Sequence, residues 1–190
     1  NKKNTAACIY IVRDPRNVVT SISNHFNLNI FQSVDFLKNK KKIIFPKKEI
    51  YKHQNNNDPE DFNFLGSWSE HYNSWKNVNI SPILIVKYED LLKDTHKTFI
   101  SVLEFLSTFI KFNFDEDKLK NSINTTSFES LSKMEKKYGF IESSDSLKNH
   151  KKIRFFHLGK KNTWKNLLDK KVFKNIEQHF KKEMEILGYL

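Results

Sequence analysis

Two short apolar runs, at residues 6–13 and 82–86, each lead into an amphipathic helical pattern, and strand-like and helix-like segments alternate along the chain; together these predict an α/β domain built on parallel strands. With 190 residues, 38% of them apolar and 14% aromatic, the chain has the length and the apolar content to bury a core. No stretch approaches the ~20 consecutive apolar residues of a membrane helix. A single cysteine, Cys8, leaves no internal disulfide and no multi-cysteine metal site, so a reducing, cytoplasmic setting is expected.

The run at 6–13 is almost continuously apolar until Arg13, as expected of a buried strand, and Asp14-Pro15 then breaks it. Val18, Val19, Ile22 and Phe26 follow at helical spacing, with Asp14 suited to cap that helix and Pro15 to its first turn. From 27 to 61 the pattern weakens: one short helix is expected at 34–39, among loops marked by a lysine run, Pro46 and the cluster Asn55, Asn56, Asn57. Phe64, Trp68, His71, Tyr72 and Trp75 predict an amphipathic helix over 62–77 that turns its aromatics inward. A buried strand at 82–86 comes next. Beyond Tyr88-Glu89-Asp90, the residues Phe99, Val102, Leu103, Leu106 and Phe109 predict a helix capped by Asp94. Shorter helices are expected at 115–123 and 128–137, the second opened by Thr126 and Glu129 in capping-box spacing. Residues 139–163 read as a long loop of the kind that forms lids. Val172, Phe173, Ile176, Phe180, Met184 and Leu187 then define a final helix stopped by Gly188.

The net charge of +11, from 33 Lys and Arg against 22 Asp and Glu, is concentrated in two places. Residues 38–52 carry seven Lys against Glu49 alone, and 151–190 carry eleven basic residues against four acids. Such segments serve either as solvated faces or as attraction for an anionic ligand. The aromatics lie at core spacing rather than interleaved with the lysines, which argues against a nucleic-acid-binding module.

Arg13 stands at the carboxyl end of the first strand and Ser21 on the helix after it, the place where open α/β sheets take ligands. A guanidinium fork and a hydroxyl can hold a phosphate together, although Arg-Asp-Pro at a strand end also serves as a purely local ion pair.

Four blocks in order carry a more specific likeness. Residues 9–26 read IYIVRDPRNVVTSISNHF, 66–75 read GSWSEHYNSW, 83–91 read ILIVKYEDL, and Thr126-Ser127-Phe128 is followed by Gly159 and, five residues on, Trp164. In these blocks the chain resembles the cytosolic-type sulfotransferases that use 3'-phosphoadenosine 5'-phosphosulfate (PAPS), over nearly its whole length. The resemblance implies a P-loop-NTPase-like fold, a parallel sheet flanked by helices. It also implies that Arg13 and Ser21 bind the 3'-phosphate with Gly159 from a closing loop, that Phe128 stacks on adenine, and that Thr126 and Tyr88 hydrogen-bond to its edge. Trp68 and Trp75 are expected to pack, and His71 to be structural or substrate-facing.

The chain departs from the family in two ways. Where the loop should read Arg-Lys-Gly it reads His157-Leu158-Gly159, with Arg154, Lys160 and Lys161 as the neighbouring cations. The family's Lys-Ser-Gly-Thr-Thr cradle for the 5'-phosphosulfate has no counterpart, since the four glycines are Gly66, Gly139, Gly159 and Gly188. The expectation is therefore the C-terminal two-thirds of one sulfotransferase domain, 1–190, lacking the N-terminal phosphate-loop strand, with no catalytic residue of its own and no metal. Transfer of a sulfuryl group from PAPS to a hydroxyl or amine of a small-molecule or carbohydrate acceptor is the leading reading. A non-catalytic nucleotide-binding relic is the alternative, and a basic nucleic-acid-binding module the third.

Overall fold

The computed structural model describes residues 4–44, 62–145 and 152–190. In chain order the elements are β1 (Cys8–Val12), α1 (Pro15–His25), α2 (Ile30–Lys38), β2 (Ile43–Ile44), β3 (Asn63–Phe64), α3 (Trp68–Lys76), β4 (Ile83–Lys87), α4 (Tyr88–Lys93), α5 (Thr95–Ser107), α6 (Glu116–Thr125), α7 (Phe128–Tyr138), β5 (Ser144–Asp145), β6 (Lys152–Ile153), α8 (Trp164–Leu167), α9 (Lys170–His179) and α10 (Lys181–Ile186). The lysines from Lys47 to Lys52, Pro46, the asparagine cluster and the middle of the expected lid lie outside the described residues. No described helix is long and apolar enough to cross a membrane. The chain divides into two compact units, Asn1–Asp14 with Tyr72–Lys133, and Pro15–His71 with Met134–Leu190.

In the first unit β1 and β4 pair in parallel, with Cys8 opposite Ile83 and Val12 opposite Lys87, as the alternation of strands and helices predicts. Tyr10 and Val12 are buried on one face of β1, and the Tyr10 ring lies 6.0 Å from Trp75 and 6.3 Å from Tyr72. Ile9 and Ile11, on the other face, are 41% and 56% exposed. A run that is apolar at every position marks a strand covered on both sides, and the described residues cover one. The next helical segment begins directly at Tyr88, so the strand end and helix start meet there. Asp94 ends α4 and caps α5 by accepting from the Lys97 N–H at 2.9 Å, and Asp115 does the same for α6 through Lys118. The capping box expected at Thr126 is absent: the Thr126 hydroxyl donates back to the Ser122 carbonyl at 2.6 Å, and Ser127 accepts from the Ser130 N–H. A threonine in the last turn of one helix is better placed to bond back within that helix than to open the next.

The second unit packs α1, α2, α9 and α10 around Val19, Ile176, Phe180 and Met184, all at most 1% exposed. Three helices differ from the periodicity. First, α2 begins at Ile30, four residues before the expected 34–39, because Asn29 and Gln32 form a reciprocal capping box. Second, the expected 62–77 helix begins only at Trp68. Residues Asn63–Phe64 pair with Ile43–Ile44 instead, Gly66 takes φ +65°, and Ser67 with Glu70 closes a second capping box. Third, the final helix is broken at Phe180, whose φ of −107° and ψ of 18° separate α9 from α10. There the Trp68 and Phe180 rings meet at 5.4 Å. Gly188 ends α10 as expected: at φ +69° it allows the Tyr189 N–H to reach the Met184 carbonyl and its own N–H to reach Glu185. The expected 139–163 loop contains the two-residue pairing of β5 with β6 and a 3-10 turn at Gly159–Lys161.

Candidate functional site

Candidate residues fall in both units. In the first, β1 delivers Arg13 to its carboxyl end, where the guanidinium stacks over the Tyr88 ring at 4.3 Å. Tyr88 reaches this point because it opens α4 directly after β4. Next to it, the buried Asp14 donates its N–H to the Glu89 carboxylate at 3.1 Å, tying the end of β1 to the first turn of α4. Arg13 and Tyr88, 75 residues apart, are thus brought together. A guanidinium with one face on an aromatic ring keeps its edge donors in a fixed plane, the geometry an oxyanion requires. Thr126 is exposed at the end of α6 and Phe128 half-buried at the start of α7.

In the second unit the residue that organises the site is one the sequence did not mark. Asn162 donates from Nδ2 to the Ser21 hydroxyl at 2.9 Å, accepts from the Thr20 hydroxyl, and through its backbone N–H bonds the Gly159 carbonyl at 3.1 Å. Ser21 and Gly159, 138 residues apart in sequence, are therefore linked through one asparagine, its side chain on Ser21 and its backbone N–H on Gly159. Asn17 completes the clamp by accepting the Trp164 N–H at 2.8 Å on its side chain. The Thr163 hydroxyl beside them is buried and makes no hydrogen bond among the described residues. A tight turn at a glycine beside hydroxyl groups is an arrangement that can take a phosphate. Behind them Arg16 lies over the Trp164 ring at 4.1 Å, pairs with Glu177 at 2.6 Å and donates to the Tyr189 carbonyl at 2.8 Å. Asn17 and Asn162 were missed because a single asparagine in a helix or a loop carries no periodic signal.

His71 is half-buried, and burial pulls its pKa below the ordinary imidazole value. Tyr10 is pushed up to about 12, chiefly by burial and further by Tyr72. Among the described residues no group of three or more His, Cys, Asp or Glu side chains is close enough to hold a metal ion.

A family described as the sulfotransferase domain matches residues 2–188. The chain belongs to this family. Among curated sulfotransferases, it is 23% identical to the amine sulfotransferase of Oryctolagus cuniculus over 188 residues, 97% of this chain and 56% of that protein. It is 28% identical to sulfotransferase 1E1 of Homo sapiens over 121 residues, 63% of this chain and 40% of that one. Among solved structures, that of mouse sulfotransferase SULT7A1 complexed with PAP aligns at a TM-score of 0.60 and 21% identity, covering 96% of this chain and 59% of the other. That likeness supports the sulfotransferase fold, a parallel sheet flanked by helices. The chain spans about half the length of the sulfotransferases it matches.

Proposed function

We propose that this sulfotransferase-family chain supplies the 3'-phosphate and adenine contacts of a PAPS-dependent sulfotransferase. In the first unit Arg13 is assigned to the phosphate, and Tyr88, Thr126 and Phe128 to adenine; in the second, Ser21 and Gly159 are assigned to the phosphate. What supports this reading most is the Asn162 link, which joins two positions that the family resemblance assigns to one phosphate and that chain distance alone would keep apart. In the reaction proposed, the acceptor oxygen or nitrogen attacks the sulfur of PAPS. The bond from sulfur to the bridging phosphate oxygen breaks with its electron pair going to 3'-phosphoadenosine 5'-phosphate (PAP), and the acceptor proton passes to a general base. We assign neither that base nor the 5'-phosphosulfate cradle to a residue of this sequence. The acceptor class proposed is a small molecule or carbohydrate bearing a hydroxyl or amine.

The test is binding of PAP and of ADP to the intact protein by calorimetry. A PAP preference of about tenfold or more, abolished by Arg13→Ala, is the expected result, since one charge-assisted hydrogen bond to the 3'-phosphate accounts for that ratio. Equal affinity for the two nucleotides, or a preference untouched by the substitution, would overturn the assignment of Arg13.

A further inference from the structure

Glu135, in the last turns of α7, is a carboxylate buried among donors that the site described above leaves unused. Its side chain is 5% exposed. Oε1 accepts from the Ser143 hydroxyl at 2.7 Å and from the Phe155 N–H at 2.6 Å, and Oε2 accepts from the Phe156 N–H at 3.0 Å. The Arg154 Nε lies 3.9 Å away. Burial alone would raise the pKa of this carboxyl, but these hydrogen bonds and the Arg154 charge outweigh it and hold the group below the ordinary glutamate value. Among the described residues, the other charged or titratable groups that line the adjoining cavity of about 580 Å³ are Lys136, Tyr138, Lys152 and Arg154.

Both backbone N–H groups that Glu135 holds belong to the two residues immediately before His157-Leu158-Gly159. From there the path is short: the His157 N–H bonds the Phe155 carbonyl at 3.0 Å, the Lys161 N–H bonds Leu158 at 3.0 Å, and Asn162 carries the chain to Ser21. His157 and Leu158 stand where the resemblance has two cationic side chains, so beside Lys160 and Lys161 the backbone N–H groups of this loop gain weight in anion binding, and their value depends on where the backbone is held.

We propose that Glu135 is a positioning residue, whose carboxylate anchors Phe155 and Phe156 and thereby sets the Gly159 turn for a 3'-phosphate. The ligand in this inference rests on the proposed function; the anchoring of the segment does not. Only a carboxylate presents acceptors on both oxygens to three donors, so Glu135→Gln turns an NH₂ group toward a backbone N–H while keeping the size of the side chain.

In the intact protein, the affinities for PAP and for adenosine 5'-phosphate, which lacks the 3'-phosphate, are compared between wild type and Glu135→Gln, together with hydrogen exchange of the Phe155 and Phe156 amides. The expected result is a loss of about tenfold in PAP affinity, with a change under about threefold for adenosine 5'-phosphate, and faster exchange of both amides. Equal loss for both ligands, or an unchanged ratio with protected amides, would show a merely structural carboxylate and overturn the proposal. If Glu135→Gln does not fold, Ser143→Ala removes one donor from the same carboxylate, and a fall in the PAP ratio of about threefold is expected, an unchanged ratio counting against. A wild-type protein that does not prefer PAP defeats the proposed function and the ligand half of this inference. Exchange then decides the anchor alone: faster in the variant supports it, unchanged overturns it.

Discussion

Arg16 shows how much one side chain can carry in this molecule. It is 5% exposed, and its guanidinium is shared among the Glu177 carboxylate, the Tyr189 carbonyl and the Trp164 ring. Glu177 is itself mostly buried, and burial opposes its ionisation, but bonds from Lys174 and Arg16 prevail and hold its pKa below the ordinary value. Arg16→Ala should cost about 3 kcal/mol, at the low end for breaking a buried pair because Lys174 remains at 2.8 Å, and a urea midpoint series measures it. The stabilisation from the depressed Glu177 pKa is fully present above the unfolded value and is lost as pH falls through the folded one. The wild-type advantage over Arg16→Ala should therefore shrink in acid below about pH 4. Arg16→Lys should recover little, since one ammonium cannot serve a carboxylate, a carbonyl and a ring face together.

At the scale of the element, caps set where helices begin. The Gly66-Ser67-Trp68-Ser69-Glu70 stretch shows why α3 is shorter than its aromatic spacing predicts. Gly66 turns the chain at φ +65°, and a Cβ there would lie 3.2 Å from the Glu70 carboxylate that closes the capping box and 3.5 Å from the Lys40 carbonyl. Gly66→Ala should thus destabilise the protein by about 1–2 kcal/mol from the left-handed backbone alone, read as a lower denaturation midpoint. A substitution without effect would mean that the turn relaxes freely. Asp94 and Gly188 were legible because a cap acts within a few residues of the helix end it serves. The break at Phe180 was not: no proline or glycine marks it, and the residues on either side keep an uninterrupted helical period. Its position accompanies the burial of Phe180 and Met184, to 1% and 0% exposure.

For the whole molecule, the two-stranded parallel sheet is the feature with the largest consequence. Parallel pairs are stable when both faces are covered, and Ile9 and Ile11 are more than a third exposed on a strand whose sequence reads as buried on both sides. The 190-residue chain produced alone should accordingly bind an apolar fluorescent dye and unfold over a broad temperature range. Ile9→Thr with Ile11→Thr should reduce dye binding without lowering the midpoint. A sharp transition with no dye binding would contradict this.

The chain's own sequence determined the α/β class, the parallel strand pair, the helix ends at Asp94 and Gly188 and the family, because periodicity and capping act over a few residues and the four blocks follow one another in a fixed order. The resemblance those blocks carry also implies a phosphate role for Arg13, Ser21 and Gly159. It could not say what holds them. Tertiary structure alone decided that Arg13 lies on Tyr88, that Asn162 joins Ser21 to the Gly159 turn, and that Glu135 anchors the segment before it. Each of these contacts joins residues 20 to 141 positions apart, and a lone asparagine or glutamate acquires its role only from the donors and acceptors that folding places around it.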